Sequence, residues 1–221
     1  MTVPYVEQVT VVCHRVAREP DPLVFTPYEF QTWDGRYDDP DLVSRTLYLA
    51  DSTYGAWCEV LARFRPDKHT IEALDTIADE PGDAQPTSGV QMSWLATRRV
   101  GKAEIAARHA DVSHSRTLRW LDTHLADLLA DLGYGEFDLS VATGSDRSVT
   151  QQVAKALRVH ADTEMVSYAS RLGTDVTCSA LFEDEHGGPY VGRLHNDGVD
   201  LDLHDEALHR ALAFHDLPLR V

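Results

Sequence analysis

The stretch Arg45–Pro66 reads RTLYLADSTYGAWCEVLARFRP, and it holds a strand, a cap, a helix and a solitary carboxylate in that order. Thr46-Leu47-Tyr48-Leu49-Ala50 is short, apolar and aromatic, the composition of a buried strand. Asp51-Ser52 follows, with side-chain oxygens at the point where the first amides of a helix need acceptors. The helix beyond carries Ala56, Trp57, Cys58, Val60, Leu61 and Phe64, apolar around most of its circumference. Glu59 interrupts that run.

A glutamate is almost never fully buried without a partner, so two readings of Glu59 stand side by side. In the first it is a surface residue making an i,i+4 pair with Arg63, worth about 0.2–0.5 kcal/mol. In the second it sits at the mouth of a pocket, beyond Tyr48 at the end of the strand. An aromatic face and a carboxylate so placed suit a planar ring and a sugar hydroxyl or developing cation. The apolar neighbours on both sides leave Glu59 only a narrow exposed arc, which favours the second reading.

The whole chain sets bounds on these readings. Its 221 residues, 43% hydrophobic and 25% charged, fit one globular domain with a proper core. No apolar run is long enough to span a membrane, and the N-terminal MTVPYVEQVTVVCHR lacks the pattern of a secretion signal. Cys13, Cys58 and Cys178 are odd in number and lie far apart in apolar runs. They read as buried thiols of a reducing cytoplasm. A net charge of −16 argues against direct nucleic-acid binding, which needs a basic footprint, and leaves solubility or a basic protein partner as its meaning.

Outward from the central stretch, Val9–Val16 reads as a strand ending near Arg15. Pro20–Pro40 is a loop whose aromatics, Phe25, Tyr28, Phe30 and Trp33, imply that it is packed down. It ends in the turn Asp34-Gly35-Arg36-Tyr37-Asp38-Asp39-Pro40. Glu80–Pro86 reads as a surface loop. The spacing of Leu118, Leu121, Leu125, Leu128, Leu129 and Leu132 predicts a long helix over much of Lys102–Leu132, closed by Gly133. Phe137–Ala142 reads as a strand, and a helix follows from Ser148 to about Val159. Ser148 and Gln151 form a capping-box pattern, and the same helix start, with its free amides, suits a phosphate. Met165–Ser170 and Val176–Glu183 read as strands, an acidic hairpin-like region surrounds Gly187-Gly188, and a last helix covers about Asp205–Phe214.

Other chemistries find no support. The eleven histidines show no metal-ligand spacing, with His109/His114 and His204/His209 five apart and no HExxH. No P-loop, GxSxG elbow or GxGxxG occurs.

The order Arg15, Gly35-Arg36-Tyr37, Leu47-Tyr48-Leu49-Ala50-Asp51-Ser52, Ala56 and Glu59 resembles the RES domain family, named for its Arg, Glu and Ser. Ser148-x-x-Gln151 and Tyr168-Ala169-Ser170-Arg171, followed by an Ala-Leu-Phe strand, extend the likeness from about Val11 to Phe182. Asp67–Asp122 interrupts it. The resemblance implies an α+β fold with a compact sheet core and flanking helices, similar to ADP-ribosyltransferases. It implies a single domain over 1–221 with a helical insertion around 67–132. It implies an NAD-consuming toxin that cleaves the nicotinamide–ribose bond, with inorganic phosphate or water as acceptor and no metal or resident cofactor. Its partner would be an Xre-type helix-turn-helix antitoxin.

Carried over, Glu59, Arg15, Tyr48 and Ser148 are the catalytic set, and Arg36, Tyr37, Gln151 and Ser170 bind substrate. The residues alone leave open transfer of ADP-ribose to protein, and a binding module without turnover. Two positions depart from the family pattern: Val16, where some members have an aromatic, and Asp38, where Asn is common.

Overall fold

A computed structural model describes residues 3–65, 89–183, 199–200 and 202–220. In chain order the regular elements are strand β1 (Val6–Arg18), β2 (Thr46–Ala50), helix α1 (Thr53–Leu61), β3 (Val90–Gln91), α2 (Met92–Ala96), β4 (Arg98–Asp111), α3 (Ser115–His124) and α4 (Ala126–Asp131). There follow α5 (Leu139–Thr143), α6 (Arg147–Ala161), β5 (Met165–Ser170), β6 (Gly173–Phe182), β7 (Val199–Asp200), α7 (Glu206–His215) and β8 (Leu219–Arg220).

The main sheet runs β1-β2-β6-β5-β4-β7, and β1 also pairs with β4, so five of its six strands form a ring. β1 and β4 pair antiparallel along their whole length, from Val6↔Ala110 to Arg18↔Arg98, while β1 meets β2 at a single bridge, His14↔Ala50. The two-stranded sheet β3-β8 lies apart. This is the expected α+β architecture, a sheet core with flanking helices.

Strand alternation sorts the side chains into three clusters. Leu47 and Leu49 of β2 join Cys13, Leu23, Phe25, Ala103, Ile105, Met165 and Leu181. On the other side of β2, Tyr48 packs with the cluster under α3, α4 and α6, and Ala50 joins the cluster built on Trp57, Leu61, Leu95, Leu208 and Leu212. A strand apolar from Leu47 to Ala50 thus serves cores on both faces of the sheet, since successive side chains point to opposite sides.

The helix after β2 begins as its sequence requires. The Ser52 hydroxyl caps α1 by accepting from Gly55 N at 3.1 Å. Gly55 allows α1 to press on the sheet, since a Cβ there would fall 2.8 Å from Val176 Cγ1. Trp57, Cys58 and Leu61 are buried beneath it.

Three expectations need correction. Arg98–Asp111 is a strand, not the first part of a helix over Lys102–Leu132. Its four alanines favour a helix locally, but Ala103, Ile105 and Ala107 alternate with the exposed Lys102, Glu104 and Arg108. Pairing with β1 along the full strand overrides the propensity. An insertion helical throughout 67–132 is therefore not what forms, and residues 66–88, with the expected loop Glu80–Pro86, lie outside the described residues. The leucine stripe does build helices, α3 and α4, broken at Leu125 and stopped before Gly133 at φ 79°.

Phe137–Ala142 is not a strand either, because Asp138 accepts from Val141 N at 2.9 Å and starts the short α5. Third, α6 is capped by Asp146, not Ser148: Asp146 Oδ1 accepts from Ser148 N at 2.9 Å. The 20–40 loop is packed in part, with Phe25 and Tyr37 buried but Phe30 71% exposed. The region around Gly187-Gly188 is outside the described residues. The last helix and the strands β5 and β6 fall where the sequence puts them.

Candidate active site

Two adjoining cavities open over β2, β5, β6 and α1. The larger, about 290 Å³, is lined by His14, Tyr48, Glu59, Arg63, Tyr168 and Cys178, among others. The smaller, about 180 Å³, is lined by Gly35, Arg36, Tyr48, Glu59, Arg147, Tyr168 and Arg171. Glu59, Tyr48 and Tyr168 belong to both. Together they form a cleft of the size that small ligands occupy, roughly 300–1,000 Å³.

Glu59 stands at the junction. Glu59 is exposed, as the surface reading has it and wider than a narrow arc, but it makes no ion pair with Arg63 among the described residues, so the pairing part of that reading fails. Instead Oε1 accepts the Ser170 hydroxyl at 2.5 Å and the Cys178 thiol at 3.5 Å. Ser170 in turn accepts the Leu172 amide at 3.0 Å, which turns its proton toward Glu59. The carboxylate remains open to the cleft.

The aromatic walls come from Tyr48 and Tyr168. Tyr48 is fixed by its hydroxyl, which accepts from Tyr37 N at 2.8 Å and donates to Asp38 Oδ1 at 2.9 Å. Burial and the neighbouring Asp38 push its pKa well above the ordinary tyrosine value, so it stays a neutral ring with a committed hydroxyl. Tyr168 packs against Tyr37, ring centroids 4.6 Å apart, and carries the Arg36 guanidinium 5.4 Å from its ring centre. Tyr37 itself is wholly buried, a support for the wall and not a surface of it.

Cations line one side of the smaller cavity. Arg36 is 7% exposed, and its Nη1 has no hydrogen-bond partner; the Nη1 of Arg147 is buried and equally without one. Arg147 Nε donates to Asp34 O at 3.0 Å, and Gln151 Nε2 donates to Trp33 O and Gly35 O, so α6 holds the Gly35-Arg36 turn in place. Arg171 completes the group. Buried, unpartnered guanidinium donors are expensive unless an anion visits them. In a chain of net charge −16, these arginines make the cleft a local reversal of sign.

The predicted residues therefore divide. Glu59, Tyr48, Arg36 and Ser170 are brought together. Gln151 acts from behind, through the turn. Arg15 lines the larger cavity, but its Nη1 donates to Pro22 O and Val24 O at 2.8 and 3.0 Å, and burial pulls its pKa down to about 10. Ser148 is exposed, gives its hydroxyl to Asp146 at 2.6 Å and lines neither cavity. Neither half of the expected capping box forms.

Of the departures, Val16 is a buried wall residue of the larger cavity, and Asp38, 2% exposed, accepts from Gly35 N and Tyr48 and itself lines neither cavity. Arg147, Arg171, Tyr168 and Cys178 were not singled out from sequence as site residues. Tyr168 and Arg171 flank Ala169-Ser170, a signal that was available. Among the described residues no group of three or more His, Cys, Asp or Glu side chains could hold a metal, and no helix is long and apolar enough to cross a membrane.

Comparison with the curated proteins gives no significant match. Among solved structures, the fold is similar to a chain of the crystal structure of the M. tuberculosis MbcT-MbcA toxin–antitoxin complex, with a TM-score of 0.55 at 16% identity, covering 96% of this chain and 91% of that one. The RES domain profile matches residues 12–204, most of the molecule, and the chain belongs to the RES domain family.

Proposed function

We propose that the protein cleaves the nicotinamide–ribose bond of NAD, as the toxin of a type II toxin–antitoxin pair. The observation that carries the reading is a tethered carboxylate, Glu59, between two aromatic walls, next to the unpartnered Nη1 atoms of Arg36 and Arg147. NAD offers the matching parts: a planar ring, a ribose with a hydroxyl beside its anomeric carbon, and a diphosphate.

In the reaction the C1′–N bond breaks and its electron pair returns to the pyridinium nitrogen, which leaves as neutral nicotinamide. The ribose passes through an oxocarbenium-like cation. Glu59, near the 2′-hydroxyl, stabilises that cation more than the ground state, and this difference lowers the barrier. Tyr48 and Tyr168 hold the ring, and Arg36, Arg147 and Arg171 take the diphosphate through charge-assisted hydrogen bonds. The acceptor at C1′ is inorganic phosphate, giving a phosphorylated ADP-ribose, or water, giving ADP-ribose.

Membership of the RES family and the fold shared with a chain of a toxin–antitoxin complex support the toxin assignment. The reading places the chain in the cytoplasm with a helix-turn-helix antitoxin of the Xre type as partner, for which a strongly acidic surface is a suitable counterpart. The expected likeness to ADP-ribosyltransferases belongs to the same proposal, since those enzymes act on the same bond.

The test is incubation of purified protein, free of any partner, with NAD in the presence and absence of phosphate, with products resolved by mass. Loss of NAD with release of nicotinamide is expected, and the mass of the second product names the acceptor. Label appearing on protein would replace this reading with ADP-ribosyl transfer. NAD bound but left intact would make the chain a binding module.

A further inference from the structure

Cys178 is the one thiol lining the cleft among the described residues, and the reaction above assigns it nothing. It lies in the middle of β6, paired with Ala50 of β2 on one side and Tyr168 of β5 on the other, on the face that α1 covers. It is 2% exposed, and its Sγ stands 3.5 Å from Glu59 Oε1. The Ser170 hydroxyl reaches the same oxygen from β5. Both donors thus converge on Oε1, and Oε2 takes no hydrogen bond among the described residues.

We infer that Cys178 is a positioning residue: with Ser170 it saturates Oε1 of Glu59 and fixes Oε2 as the oxygen presented to substrate. This rests on the proposed cleavage of NAD for its kinetic consequence, though not for the contact itself. The carboxylate rides on α1, whereas both tethers belong to the sheet. A single tether leaves the carboxylate free to swing about that hydrogen bond, and a second, from a neighbouring strand, removes the swing. Burial beside Glu59 pushes the thiol pKa well up, so the sulfur keeps the proton that it donates. Cys178 is accordingly no nucleophile. It lends orientation, which matters because a carboxylate stabilises a developing cation only when its lone pairs already face it.

The experiment compares Cys178→Ala with Cys178→Ser, which keeps a donor, in the full chain with NAD as substrate. Cys178→Ala is expected to lower kcat roughly tenfold with KM within about twofold, and Cys178→Ser to recover most of the loss, at equal melting temperature. The second arm reads the contact without turnover. The S–H infrared band, assigned to Cys178 by its loss in Cys178→Ser, is expected to shift when Glu59 is replaced by Ala, which removes the acceptor oxygen. An unmoved band overturns the inference, as does full activity in Cys178→Ala or equal impairment in both variants. Wild-type protein that leaves NAD intact defeats the proposed reaction instead, and the infrared band still decides whether the tether exists.

Discussion

Ser170 gives its only hydroxyl proton to Glu59 across 2.5 Å while its oxygen receives the Leu172 amide at 3.0 Å. The serine is thereby oriented twice over, as holder of the acid and not as an attacking group. Glu59→Gln retains an oxygen for both donors, so it is expected to fold as wild type while turnover of NAD falls by about two to three orders of magnitude. Ser170→Ala is expected to lose roughly tenfold in kcat, since Glu59 keeps one tether. Nicotinamide release and a thermal melt on each variant check both; a Glu59→Gln protein of full activity rules out the proposed chemistry.

Arg147 and Arg36 predict a binding defect. Replacing Arg147 by Ala is expected to raise KM for NAD about tenfold, the loss of one charge-assisted hydrogen bond with its Coulomb attraction. Arg147→Lys keeps the charge but not the planar fork, and should rescue little. KM for the wild type should also rise with ionic strength, as screening weakens a cleft that draws in an anion. Steady-state kinetics over a salt series reads all three.

The start of α6 separates two neighbouring side chains. Asp146 accepts from Ser148 N and Tyr134 Oη, so Asp146→Ala is expected to cost about 1 kcal/mol of stability and to loosen Arg147 beside it. Ser148→Ala should leave activity within about twofold of wild type. Denaturant melts and NAD turnover distinguish them, and a large catalytic loss in Ser148→Ala would restore to that serine the role its sequence context implies.

His215 supplies a pH dependence. Its Nδ1 accepts from Arg65 Nε at 2.5 Å and its Nε2 donates to Cys58 O at 2.8 Å, so the folded protein holds a neutral ring. Burial, with the Arg65 charge adding to it, lowers the folded pKa below the ordinary 6.5, although the Cys58 carbonyl and Glu59 act the other way. The unfolded chain therefore binds a proton first. Stability is full above pH 6.5 and declines as pH falls below it. Burial lowers His14, His109 and His124 in the same sense, so His215→Gln should flatten the acid slope of melting temperature only in part.

How far this was legible in the sequence depends on where each signal resides. β2, its cap and α1 were readable because an apolar run, Asp51-Ser52 and a helix apolar around most of its circumference follow one another within a few residues. β4 was not, because its alanines speak for a helix and only the distant β1 makes them a strand. Likewise, Glu59 announced itself as a charge in an apolar context. The Arg36–Arg147–Arg171 group did not, since it forms only when a turn, a helix start and a strand end converge. Ser148 misled for the opposite reason: its local pattern fits a cap, but the helix starts two residues earlier, on Asp146, which accepts from the Ser148 amide.

The bond from His215 to the Cys58 carbonyl fastens the chain's last helix to the residue just before Glu59. The acid is carried by α1 and anchored to β5 and β6, so its aim depends on how firmly α7 presses α1 against those strands. A ligand that peels α7 away would disarm the enzyme from behind, with the cleft still empty and its arginines untouched.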